Sequence, residues 1–127
     1  MPTTDLTASV ITMRPCVPAK DFGTSKRFYA DLGFEIQPLG DGIANARLGR
    51  HSFLLQEFFV EELAKNFMMH LLVTNLDDWW KHIAKLDLST KYGVQPPRAP
   101  KLEPWGLRVA YVFDPSGVLW HIAEEAN

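Results

Sequence analysis

Apolar positions in this chain fall into short runs cut by Gly, Pro, Asp and Asn, and the same succession of runs occurs twice. Val10, Ile11, Met13, Cys16 and Val17 predict a strand over 9–17, with Pro15 placing it at an edge or a bulge. Asp21 is a good helix N-cap. Phe22, Phe28, Tyr29 and Leu32 follow it at offsets of six, seven and ten, one face of a helix that Gly33 ends. Strands over 34–39, 42–48 and 52–58 come next, parted by Gly40, Asp41 and Gly42 and by Gly49 and Arg50, residues suited to hairpin turns. The second half opens with a strand over 67–73. Asn75 then caps a helix carrying Leu76, Trp79, Ile83 and Leu86 at offsets of three, seven and ten, with Asp77 and Asp78 placed to meet the helix dipole. Residues 87–106 hold Pro96, Pro97, Pro100 and Pro104 and read as extended or loop, with one strand at about 92–95. The chain closes with strands over 107–113 and 118–124 about Asp114, Pro115, Ser116 and Gly117, a type I turn.

Strand, helix, three strands, twice over, predicts an α+β fold of eight strands and two principal helices. The expected organisation is a disordered tail over 1–8 and a single domain over 9–127, with modules at about 9–60 and 67–125 that superpose. Helix faces bearing Phe28, Leu32, Trp79 and Ile83 need a sheet to cover. A chain of 127 residues buries enough surface to fold without disulfide or metal.

Charge and cysteine usage narrow the partners. A net charge of −2 gives no reason to expect nucleic acid or an anionic membrane. The single cysteine, Cys16, cannot form an internal disulfide, and no apolar run has the length of a signal peptide's core or of a membrane span, so the expected location is the cytoplasm. No Gly-rich phosphate loop precedes a helix. Glu61 and Glu62 read as a solvated helix or loop face.

Pro18, Asp21, Ser25, Phe28, Tyr29, Leu32, Gly33 and Phe34, with Asp114, Pro115, Gly117 and Trp120 near the end, form a pattern that resembles the vicinal oxygen chelate superfamily. That group includes glyoxalase I, extradiol dioxygenases, fosfomycin-resistance enzymes and bleomycin-resistance proteins. The resemblance runs from about Val10 to Ala123. It implies two βαβββ modules whose curved, mixed sheets form a cleft, often completed by a second subunit. It also implies, in the metalloenzymes of the group, four ligands on the inner faces of the sheets. The corresponding positions here are Arg14, Glu57, Met68 and His121. A guanidinium does not release its proton to bind a metal, and a thioether suits copper better than zinc, manganese or iron, so the usual set is absent. A shifted set remains open: residue 70 shares a strand face with residue 68, so Glu57, His70 and His121 would make a two-histidine, one-carboxylate site for Zn, Mn or Fe.

Several residues have two readings. Arg14 either pairs with Glu57 inside the cleft, which is the expectation adopted, or meets an anionic ligand. His70 and His121 line a binding cleft or hold a metal. Trp105, in the Pro-rich loop, stacks on an aromatic ligand or partner, or pins the loop to the core. Trp79 fits the periodic helix face, and Trp80 its edge or an interface. Trp120 alternates with His121 and points away from the cleft. Cys16 shares the parity of Arg14 and either lines the cleft or is a small buried residue. Tyr111 is read as a core residue, with proton donor as the other reading.

The function expected is that of a metal-free binding protein for an aromatic or drug-like small molecule, of the bleomycin-resistance type and thus related to antibiotic resistance. It has no cofactor, and Arg14, Glu57, Met68, His70, Trp105 and His121 form its ligand-binding set as a homodimer. The alternative is a metal-dependent lyase, isomerase or dioxygenase using Glu57, His70 and His121. A third reading is a metal-free enzyme with His121 or Glu57 as general base. Whether any reaction is catalysed stays open, as do the ligand and whether one chain or two build the cleft.

Overall fold

The computed structural model describes residues 6–126. Of the tail expected over 1–8, residues 1–5 lie outside the described residues, and Leu6–Ser9 form one turn of 3-10 helix. The elements that follow are β1 (Cys16–Pro18), α1 (Phe22–Leu32), β2 (Glu35–Gly40), β3 (Ile43–Leu48), β4 (His51–Gln56) and α2 (Glu61–Lys65). The second half runs β5 (Met68–Leu72), α3 (Leu76–Leu86), α4 (Leu88–Tyr92), β6 (Arg98–Leu102), β7 (Leu107–Phe113) and β8 (Leu119–Glu125).

The strands form two four-stranded sheets with orders β1-β4-β3-β2 and β5-β8-β7-β6. Each sheet is mixed, with its first strand running parallel to its last and the remaining pairs antiparallel. One order used twice is the doubled βαβββ architecture that the repeated runs predict, with α1 and α3 as the principal helices. Among the described residues no helix is long and apolar enough to cross a membrane.

Local chemistry sets the helix ends where the sequence places them. Asp21 accepts a hydrogen bond from the Thr24 N–H at 3.0 Å, and Asn75 accepts one from the Asp78 N–H at 3.0 Å. Gly33 ends α1 at φ 126°, a conformation open to glycine, while its N–H donates back to Tyr29 and Ala30. Gly42 sits at φ 69°, where any side chain is strained, and a Cβ there would press on the Glu57 Cβ at 3.2 Å.

Two expectations are corrected. The first strand spans only Cys16–Pro18, because β4 pairs with it only at Leu54–Gln56. Among the described residues no strand pairs with 10–14, and Ile11 and Met13 are 97% and 90% exposed. The strand expected at 92–95 is instead Arg98–Leu102, preceded by the short helix Leu88–Tyr92. The prolines of that region hid both elements. β6 is an edge strand, where Pro100 is tolerated at an irregularity in register between Arg98 and Lys101.

The core joins both modules. Phe28, Tyr29 and Leu32 of α1 pack with Phe53 and Leu55 of β4, Ala110 and Val112 of β7, and Trp120 and Ile122 of β8. Tyr29, Phe34, Phe53 and Trp120 meet mostly edge to face, with centroids 4.9–5.8 Å apart. A buried polar chain runs through them. The Trp120 Nε1–H donates to the Tyr29 hydroxyl at 2.9 Å, and that hydroxyl donates to Asp114 Oδ2 at 2.5 Å. Asp114 Oδ1 accepts from the N–H groups of Ser116 and Val118 at 2.8 and 2.9 Å. The Ser116 hydroxyl oxygen accepts from the Lys20 N–H at 2.9 Å, which ties the second module's hairpin to the entry of α1. Burial pushes the Asp114 carboxyl above the usual range, against the lowering effect of the Tyr29 hydroxyl and the turn's N–H groups. Burial, reinforced by the Asp114 charge, holds the Tyr29 phenol well above its ordinary value. Tyr29→Phe therefore leaves a buried indole N–H and a buried carboxylate each short of a partner. Denaturant unfolding should show a loss of about 2–3 kcal/mol, and an unchanged midpoint would contradict this role.

Candidate functional site

Alternation along the strands gives each sheet one face toward the helices and one facing away. In the first sheet Ala44, Ala46, Phe53 and Leu55 face the helices. The other face is a polar string. Arg14 Nη1 donates to Asn45 Oδ1 at 3.1 Å, Asn45 Nδ2 to Gln37 Oε1 at 2.9 Å, and Gln37 Nε2 to Glu35 Oε1 at 3.4 Å. Arg47 closes the string on Glu35 Oε2 at 2.7 Å and holds that carboxyl below its ordinary range.

The outward face of the second sheet differs. Strand register aligns His70, His121, Tyr111 and Arg98 in one row across all four strands. The next row along is Met68, Leu119 and Phe113. The rings of Tyr111 and His121 lie 4.9 Å apart near a right angle, and those of His121 and His70 lie 6.3 Å apart. The Arg98 guanidinium stands 5.6 Å over the Phe113 ring. Partial burial, helped by the neighbouring His70, pushes the His121 imidazole below its ordinary value, with Glu103 opposing. Burial, then the Glu103 charge, raises the Tyr111 phenol. His121 is accordingly neutral at pH 7, able to donate from one ring nitrogen and accept at the other. A groove of about 330 Å³ opens between the start of β4 and β5, walled by Ser52, Phe53, Met69 and Trp120, with His70 at its rim.

The structure brings His70 and His121 together, with Met68, 59% exposed, one step along the same face. It does not bring Arg14 to Glu57. The Arg14 guanidinium reaches Asn45, which pairs with Leu54, three residues before Glu57, and no ion pair joins Arg14 to Glu57. Arg14 bonds Asn45 instead, and Glu57 sits exposed beyond the end of β4 with its N–H on the Gly42 carbonyl at 2.8 Å. Trp105, in the β6–β7 turn, is 57% exposed and lies outside the core, so it does not pin its loop. Trp79 and Trp80 both pack partly buried against the core, and Trp120, 2% exposed, points away from the open face. Cys16 is exposed.

Tyr111 corrects its reading as a core residue, since it stands beside His121 on the open face. The signal was available. The hairpin about Asp114 to Gly117 pairs Phe113 with Leu119, which places Tyr111 opposite His121. Arg98 was missed because its strand was.

The metal set implied by the fold family does not fit these residues. Among the described residues no three His, Cys, Asp or Glu side chains form a group able to hold an ion. Glu57 belongs to the first module, away from the His70–His121 pair, and Arg14 and Met68 stand at two of the positions that the resemblance assigns to ligands.

The lowered His121 value carries a prediction. An NMR titration should place its midpoint below 6.5, and His70→Ala should raise it. The unfolded imidazole takes its proton near 6.5, before the folded one, so this group's contribution to stability is complete above that pH and is lost as the pH falls toward the folded midpoint. A midpoint above 6.5, or one indifferent to His70, would contradict the row geometry.

Comparison with known proteins agrees with this architecture. A bleomycin resistance protein from Klebsiella pneumoniae is 29% identical over 115 residues, covering 87% of this chain and 89% of the relative. A crystal structure of a bleomycin-binding protein complexed with bleomycin superposes with a TM-score of 0.78 at 24% identity, covering 92% of this chain and all of that one. The bleomycin-binding protein of the bleomycin producer Streptomyces verticillus, complexed with copper(II)-bleomycin, gives a TM-score of 0.74 at 22% identity over 93% of this chain and 98% of that one. Residues 11–122 match the profile of the Glyoxalase/Bleomycin resistance protein/Dioxygenase superfamily, and the chain belongs to that superfamily.

Proposed function

We propose that this chain is a small-molecule binding protein of the bleomycin-resistance type, which holds an aromatic or drug-like ligand against the open face of its second sheet. The observation that carries the reading is the cross-strand row of His70, His121, Tyr111 and Arg98 beside the apolar row of Met68, Leu119 and Phe113. Flat rings and an adaptable thioether give area for apolar contact, and a few polar groups at fixed spacing orient what binds. Sequestration needs nothing more. The relative named for bleomycin resistance and the structural neighbours solved with bleomycin bound support a small-molecule ligand. Neither the row nor the polar string of the first sheet calls for a metal, and the proposed binding uses none.

The proposal includes a second copy of the chain. Val10, Ile11 and Met13 present apolar side chains to solvent, and β4 leaves residues 51–53 without a strand on one side. Extended apolar chain and open strand edge are complementary, and a two-fold partner satisfies both.

Two measurements test this. A two-ring aromatic compound that does not itself bind metals, such as 2-naphthamide, followed by tryptophan fluorescence or calorimetry, should bind with the same affinity with and without a strong chelator, and His121→Ala together with Tyr111→Ala should weaken it by tenfold or more, about the effect of losing a stacked ring and a hydrogen bond. Binding abolished by chelation and restored by zinc, manganese or iron would favour the metalloenzyme alternative. Sedimentation at micromolar concentration should report a dimer that Ile11→Asp with Met13→Asp converts to monomer. A wild-type monomer would remove the second copy from the account.

A further inference from the structure

Resting on the reading that the second sheet's open face holds an aromatic ligand, we infer that this ligand is an anion. It is a planar aromatic molecule whose carboxylate, or comparably charged acid group, is held by Arg98 where the guanidinium stands over the Phe113 ring.

The row sets where the acid group meets the chain. The backbones of His121 and Arg98 are two strand spacings apart, about 10 Å. The Arg98 side chain returns over the Phe113 ring on β7 and acts on Tyr111, which puts its guanidinium within reach of an aromatic acid lying on the Tyr111 and His121 rings.

The charge of the occupant follows from which groups already have partners. Arg47 is taken by Glu35, Arg108 by Asp77 and Glu124, and Lys91 by Asp31. Arg98 has no carboxylate within ion-pair distance among the described residues, and it is exposed on the face that the rings line. Its position over the Phe113 ring holds the planar fork in place, which lowers the cost of ordering it on a carboxylate. Lys101, next on the same strand, aligns with Val109 and so shares the face. The opposing charge is Glu103, which acts on Tyr111 and His121. Glu103 and Arg98 both act on Tyr111, so Glu103 tempers the attraction that Arg98 and Lys101 offer an acid group. A cationic ligand would meet Arg98 and Lys101 at that end with no carboxylate beyond Glu103 to receive it.

The test uses three probes of one shape: 2-naphthoate, the neutral 2-naphthamide and the cationic 2-naphthylmethylammonium, titrated calorimetrically into the intact protein at low and high salt. The expected order is acid above amide above ammonium, with the acid about tenfold tighter than the amide, the size of one charge-assisted hydrogen bond, and this preference reduced at high salt. Arg98→Gln should erase the preference while the amide binds as before, and Arg98→Lys should keep part of it. Glu103→Gln should move the other way and tighten the acid. Opposite signs from two exposed or half-exposed positions separate the inference from a folding defect. Equal binding of acid and amide, or a preference that survives Arg98→Gln, overturns the anion and leaves the binding reading in place. If none of the three probes binds, the binding reading fails and this inference fails with it.

Discussion

The Asp114 carboxylate, buried between the two modules, is the constraint from which the rest of the structure follows. It receives the Tyr29 hydroxyl from the first module and two turn N–H groups from the second, and the Tyr29 hydroxyl in turn receives the Trp120 indole. Burying that charge is costly, and only its full set of donors makes it tolerable. The set exists only when α1, the β7–β8 turn and β8 are all in place. The two modules, which share one core, are thereby fixed in one mutual arrangement. The aromatic cluster around Tyr29 supplies the apolar contact area, and the polar chain supplies the unique register.

That arrangement decides what the sheets present outward. Trp120 is committed to the core by its bond to Tyr29, so its neighbours in β8, Leu119 and His121, face away. Register then carries His121 to Tyr111 and Arg98 on one side and to His70 on the other. Formation of the site is in this sense downstream of the buried chain: the same pleat that hides one residue exposes the next. The two outward faces differ in kind. Amide and ion-pair groups on the first sheet satisfy one another, whereas the rings and the guanidinium on the second are left with bonding capacity to spare. This asymmetry is why the second face is assigned the ligand.

Much of the fold was legible because its signals are local. Asp21, Gly33 and Asn75 act within a turn of where they stand, and the spacing of Phe28 and Leu32 or of Trp79 and Ile83 needs no tertiary information. The family pattern was legible for the same reason: Tyr29, Asp114 and Trp120 are the residues of the buried chain. The first strand was misjudged because alternation reports which side chains want burial and says nothing of which strand supplies the partner. β6 was misplaced because prolines argue against a strand except at an edge, and edge status is a property of the assembled sheet. The Arg14–Glu57 pair failed on register: counting from Asp21 locates Arg14, but only the strand pairing shows that its guanidinium meets Asn45, level with Leu54, with Glu57 three residues further on. That His70 and His121 lie side by side was reachable from the family position of His121 and a parity step from Met68 to His70, whereas Arg98 required the position of a neighbouring strand.

The central claim, that the open face of the second sheet is where a ligand lies, is tested most directly by mapping amide and side-chain NMR shifts across the protein as 2-naphthoate is titrated to saturation. The account predicts shifts concentrated at Met68, His70, Tyr111, Phe113, Leu119 and His121, with α1 and α3 little changed. Saturable binding whose shifts fall along the helices, or on the first sheet alone, would contradict it.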